Sequence, residues 1–166
     1  MAIADALIGE LEQEAATTRR VLQRGPADKL AWKPHEKSMS LGQLALHVAQ
    51  VPGFAAGLAV QNPGSLPENF EQASAQSVDE ALSALADSVG KAKEIVQGFD
   101  DAAMMETWSL AAGGRTLMSM PRIGLLRAIM LNHWYHHRGQ LSVYLRLLDG
   151  PVPSIYGPSA DENPFA

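Results

Sequence analysis

The chain has 166 residues, 13 Lys and Arg against 18 Asp and Glu, a net charge of −5 and 46% apolar residues. That is one domain's length with material for a full core, and its acidic balance gives nucleic acid no basic patch to bind. Cysteine is absent, which excludes disulfides, thiolate metal sites and a cysteine nucleophile, and leaves any metal to imidazole and oxygen ligands.

The N-terminus lacks a basic region and Glu10 interrupts its apolar run, so no signal peptide is read and a cytoplasmic protein is expected. The first helix is predicted from about Ile3 to Arg24, with Leu7, Leu11, Ala15 (or Glu14), Thr18 and Leu22 one turn apart and Gly25-Pro26 as its stop. Asp28 to Met39 reads as a loop that packs the Trp32 ring.

Ser40-Leu41-Gly42-Gln43 is a capping box that opens the second helix. Leu44, His47, Val51, Phe54 and Leu58 share one side of it. Pro52 removes the hydrogen bond to the Val48 carbonyl, so a bend just after His47 is expected. Ser38 to Pro67 holds no Asp, Glu, Lys or Arg, which raises the question of a membrane span. The polar side chains and Pro52 within Leu41 to Val60 favour a buried helix instead. Ala45, Ala49, Gly53, Ala56 and Gly57 form a small-residue outer face, expected to meet a symmetry partner or the C-terminal tail.

Ser77 to Glu80 caps a third helix, along which Val78, Leu82, Leu85, Val89, Ala92, Val96 and Phe99 repeat every seven residues. From Asp100 to Met120 the periodicity lapses, and Ala-Ala-Gly-Gly between Trp108 and Met118 suits a short hairpin. Pro121 opens a fourth helix to about Leu148, striped by Leu126, Met130, His133, His137, Leu141 (or Gln140), Tyr144 and Leu148. The expected fold is all-α: a four-helix bundle over residues 1–148 and an irregular, Pro-rich tail over 149–166 that lies on the bundle.

His133 and His137 project from one helix face one turn apart, and His47 is on the core side of the second helix. If the two helices are neighbours, three imidazoles converge, one of the few ways to bind a divalent metal without thiolates. Set against this, a single core histidine or a helical His pair is more often structural. Trp134 follows His133 where a zinc protease needs Glu, so that chemistry is disfavoured. His136 offers a second same-side pairing with His133; as a non-ligand it either supports a ligand from behind or faces the pocket, and it is the candidate catalytic base. No carboxylate lies between Arg122 and Leu148. Gly139 is read as a notch for close approach, Arg138 as an outer-face ion-pair residue or helix linker, and Asn132 and Gln140 as holders of imidazole N–H groups. Trp108 is read as core, with a pocket wall as the alternative.

Residues 40–49, Ser-Leu-Gly-Gln-Leu-Ala-Leu-His-Val-Ala, and residues 132–141, Asn-His-Trp-Tyr-His-His-Arg-Gly-Gln-Leu, resemble the two histidine motifs of the DinB family. Leu30 to Pro34 fits the family's loop before the second helix. The likeness runs from the first helix through the fourth and leaves out the tail. It implies an up-down-down-up bundle, often dimeric, with a divalent metal (nickel, zinc, iron or manganese) on His47, His133 and His137. It also implies a small-molecule substrate, in some relatives a low-molecular-weight thiol used by a transferase; a hydrolase and a non-catalytic metal-binding or stress-response module are the alternatives. Neither nucleic acid nor a membrane is an expected partner.

Overall fold

The computed structural model describes residues 2–65 and 71–166; the last two residues of the uncharged Ser38–Pro67 stretch lie outside them. Helix α1 (Ile3–Leu22) ends before Gly25-Pro26, and a 3₁₀ turn follows at Ala27–Lys29. Helix α2 (Leu41–Val60) opens on the predicted box: Ser40 Oγ accepts from the Gln43 amide at 3.1 Å, and Gln43 Oε1 from the Ser40 amide at 2.8 Å. Helix α3 (Val78–Gln97) opens on Ser77, whose Oγ accepts from the Glu80 amide at 3.0 Å, and the short α4 (Asp101–Met105) comes next. The last helical rod has three parts, α5 (Arg122–Leu125), a π-helical stretch (Leu126–His133) and α6 (Trp134–Leu147).

The chain is mostly helical but not all-α. Strands β1 (Gly64–Ser65), β2 (Thr107–Ala112) and β3 (Arg115–Pro121) form one sheet in the order β1-β2-β3, β1 parallel and β3 antiparallel to β2. The hairpin is where Ala-Ala-Gly-Gly suggested it, and Gly113 and Gly114 take the positive φ (56° and 73°) that a two-residue hairpin turn needs. Two-residue β1 has no alternating pattern to read. Its Gly64 lies against the Trp108 ring, where a β-carbon would collide. Trp108 is core, donating through Nε1–H to the Gln61 carbonyl at 2.7 Å.

Contacts between the helices fix their directions. On α1, Glu12 pairs with Lys93 of α3 while Val21 and Leu22 meet Val78 and Ala81, so α1 and α3 run oppositely. Ala45, Gly53 and Gly57 of α2 meet Ala81, Ser88 and Lys91 of α3 in that order, so α2 and α3 run together. Ala59, Val48 and Leu41 of α2 meet Arg122, Trp134 and Leu141, so the last rod runs against α2. Glu10 and Glu14 of α1 pair with Arg127 and Arg138, so it runs with α1.

The small-residue face of α2 is therefore covered by α3 and not by the tail. At its centre a β-carbon on Gly53 would stand 2.9 Å from the Ser88 carbonyl oxygen. Ser88 Oγ accepts from the Gly53 amide at 2.8 Å and donates to the Gln50 carbonyl at 3.1 Å. Although α2 is long and apolar enough to cross a membrane, 61% of its most apolar window is buried inside the protein, as befits a core helix. The tail instead straps α1: Arg20 donates to the Ser154 carbonyl at 2.7 Å and pairs with Glu162 at 3.5 Å. Trp32 packs edge-on against Tyr144, ring centroids 5.5 Å apart.

Candidate metal centre

Pro52 continues α2 without breaking it, and the carbonyl it leaves unpaired decides where the last rod docks. Val48 O accepts from Trp134 Nε1–H at 2.8 Å in a fully buried contact. An unsatisfied buried carbonyl is costly, so this bond anchors α6 to α2 at one height. His47 and His133, the residues just before those two, are brought together by it: their Nε2 atoms lie 3.2 Å apart. His137 follows one turn beyond His133, and its ring centroid is 4.4 Å from that of His47 and 4.3 Å from that of His133. One ligand atom from each of His47, His133 and His137 lies within 4.8 Å of the other two. The π-helical stretch, a wider turn that recurs at functional sites, ends on His133.

The cluster is half-buried, and the electrostatics are those of bases crowded away from water. His47 is lowered to about 4, by burial first and then by His137 and His133, with the Gln72 side chain pulling it partly back. Burial also lowers His133, helped by His136, and lowers His137 against the opposing bond to Gln140. Neutral imidazoles at pH 7 keep a lone pair to donate, as a metal ligand must. Gln140 Oε1 stands 2.7 Å from His137 Nδ1; with the proton on Nδ1, Nε2 is left as the donor atom. This is the outer partner that such sites use to fix a ligand's tautomer. The donor set fits a divalent cation of the zinc or nickel kind.

A cavity of about 110 Å³ adjoins the cluster, lined by His47, Gln50, Val51, Phe54, Gln72, Ile129 and His133. No carboxylate, lysine or arginine is among these lining residues. Gln72 escaped the sequence reading because it lies in the long α2–α3 connection, outside any periodic pattern. It is held there by a crossing at Gly42. The Gly42 amide donates to Leu30 O at 2.8 Å, its carbonyl accepts from the Ala75 amide at 3.1 Å, and Gln43 Nε2 donates to Gln72 O at 3.1 Å. A β-carbon on Gly42 would stand 2.5 Å from Ser74 Oγ and 2.9 Å from Ala75 O, so only glycine lets the two segments meet.

His136 is exposed, with its ring 4.9 Å from that of His137, and it is not part of the cavity lining. Asn132 is exposed as well, so of the two amides read as imidazole holders Gln140 alone takes that position. Gly139 faces open space, with nothing else in the chain lying against it among the described residues. Arg138 is a helix linker but not an outer-face one: it is 1% exposed and pairs with Glu14 at 2.6 Å.

The DinB family model matches residues 3–163. This chain belongs to the DinB family. The match runs well into the tail, which the sequence motifs alone had left outside. Two solved DinB-like proteins share the fold. The one from Bacillus cereus has a TM-score of 0.72 at 21% identity, over 93% of this chain and 98% of its own. The one from Bacillus subtilis has a TM-score of 0.65 at 20% identity, over 87% of this chain and 92% of its own. No curated protein matches.

Proposed function

We propose that His47, His133 and His137 of this DinB-family chain hold one divalent metal ion, and that the protein is a metal-dependent enzyme acting on a small molecule in the adjoining cavity. The observation that carries this reading is the meeting of three neutral imidazoles from two distant chain segments within 4.8 Å of one another. We read the helix directions as those of an up-down-down-up four-helix bundle, with the centre between its second and fourth long helices.

A metal so held supplies Lewis-acid chemistry, lowering the pKa of a bound nucleophile or polarising a substrate oxygen. The chain's own groups do the rest. Gln140 orients His137, Gln50 and Gln72 offer amide hydrogen bonds to a substrate, and Val51, Phe54 and Ile129 exclude water from its apolar part. Among the described residues no carboxylate lines the cavity to serve as a general base, and His136 is exposed and outside its lining. That shortage favours transfer to an external nucleophile, such as a low-molecular-weight thiol, over hydrolysis. The same shortage supports a second reading, a non-catalytic metal-binding module.

Elemental analysis of untagged protein purified without chelator tests the centre. About one divalent ion per chain is expected, and its loss in His47→Ala; a metal-free wild type overturns the reading. Thiol-dependent turnover of an electrophile that disappears in His137→Ala separates the enzyme from the module.

A further inference from the structure

Two glutamines from different segments meet one turn before His47. Gln43 Nε2 donates to the Gln72 carbonyl at 3.1 Å, while Gln72 Nε2 lies 3.5 Å from the Gln43 carbonyl and 3.4 Å from that of Ala73. The Gln43 side chain is fully committed, because its Oε1 accepts from the Ser40 amide at 2.8 Å. Gln72 has one atom over. The two carbonyls beside its nitrogen fix which way the amide faces, since an oxygen in that place would be repelled by both. Its Oε1 is left for the cavity, which Gln72 lines together with His47. The His47 ring is well placed to meet it, because helical side chains lean back toward the N-terminus, over the turn that carries the Gln43 carbonyl.

On the far side of that ring, His47 Nε2 stands 3.2 Å from His133 Nε2, which leaves Nδ1 as the ring nitrogen for another partner. We infer that Gln72 is a positioning residue: its Oε1 accepts the Nδ1 proton of His47 and leaves Nε2 bare beside His133 and His137. A neutral imidazole in water carries its proton mostly on Nε2, so this bond reverses the ring's ordinary preference. Gln72 is also the one neighbour that favours protonation of His47 against burial and two imidazoles, as an oxygen accepting from the ring does. The bond gives His47 what Gln140 gives His137, the tautomer a metal ligand needs, and the second lone pair of the oxygen stays open to the cavity. Its use for a cation rests on the proposed metal centre; the bond itself does not. Because Gln72 arrives through the crossing at Gly42, His47 is made ready for a metal only when the α2–α3 connection is seated.

The test is a long-range ¹H–¹⁵N correlation spectrum of the metal-free full chain at pH 7, which shows the protonated nitrogen of each imidazole. The His47 signals are those missing from His47→Leu. Wild type is expected to carry the His47 proton on Nδ1. Gln72→Leu is expected to return it to Nε2 and to weaken zinc binding about 10- to 100-fold in chelator competition. Gln72→Glu keeps an acceptor while losing the Nε2 donor, so it is expected to retain both the tautomer and the affinity. A glutamine needed only to hold the connection would fail with Glu as badly as with Leu. A His47 proton on Nε2 in wild type, a tautomer that Gln72→Leu leaves unchanged, or one that switches equally in Gln50→Ala overturns the proposal. Wild type that shows the Nδ1 proton but binds no zinc sinks the metal centre and leaves the bond standing. Zinc binding that Gln72→Leu does not weaken sinks the positioning role and leaves the centre.

Discussion

The last helical rod carries two polar clusters on different faces, and they are built on opposite principles. Toward α1 and the tail, Arg138 meets the Glu14 carboxylate at 2.6 Å, the Glu14 carbonyl and Thr18 Oγ1 at 3.2 Å, and the Tyr156 hydroxyl at 2.5 Å. Tyr156 in turn donates to Glu14 at 3.0 Å. Charge is cancelled inside the chain, and the cluster ties three segments together. Toward α2, His47, His133 and His137 are bases only; burial and then a neighbouring imidazole disfavour protonation of each, and among the described residues no acid balances them. A buried charge with its own counter-charge is a fastener, whereas bases that suppress one another's basicity are donors for a cation.

Three experiments can break this contrast. Arg138→Ala leaves the Glu14 carboxylate buried without its cation, and removing one partner of such a pair costs about 3–5 kcal/mol. Urea unfolding at pH 7 reads that loss; a cost under about 1 kcal/mol erases the distinction. Gln140→Ala frees the His137 ring, and metal affinity is expected to fall about 10- to 100-fold, as for other outer partners. Chelator competition measures it, while unfolding of the metal-free variant stays close to wild type.

His47→Leu has the smallest effect at neutral pH, within about 1 kcal/mol, because an apolar side chain of similar size replaces a half-buried neutral base. Its signature is in the pH profile. The folded pKa of His47, about 4, lies below its ordinary value near 6.5. Stability from this group is therefore complete above 6.5 and is lost as pH falls toward 4. Thermal unfolding of metal-free wild type should decline through that window and the variant should decline less; parallel profiles count against the crowding of bases.

The helices and the histidine trio were legible because both obey spacing rules. Ser40 and Gln43 announce a start, Gly25-Pro26 a stop, and His133 and His137 share a face through the helical period. Pro52 even predicted an unpaired carbonyl at Val48, though nothing local named Trp134 as its partner across 86 residues. Of the two readings of Arg138, helix linker is right and outer-face residue is wrong, because the sequence shows a charge on a helix but not Glu14 waiting on another. On α3 the apolar heptad was visible, yet Ala81 and Ser88 are buried more deeply than Val78 and Val89 because small residues admit α2 most closely. Strand β1 and Gln72 were invisible for one reason: each acquires meaning only from a distant segment, Trp108 in one case and the histidines in the other.

The crossing at Gly42 gives the molecule a shared hinge pin. Because the approach from Leu30 and the approach to Ala75 both hang on one residue's amide and carbonyl, the connection that delivers Gln72 cannot drift without disturbing the start of the helix that delivers His47. Folding and site assembly thus draw on the same few atoms, and a side chain at that position would undo both at once.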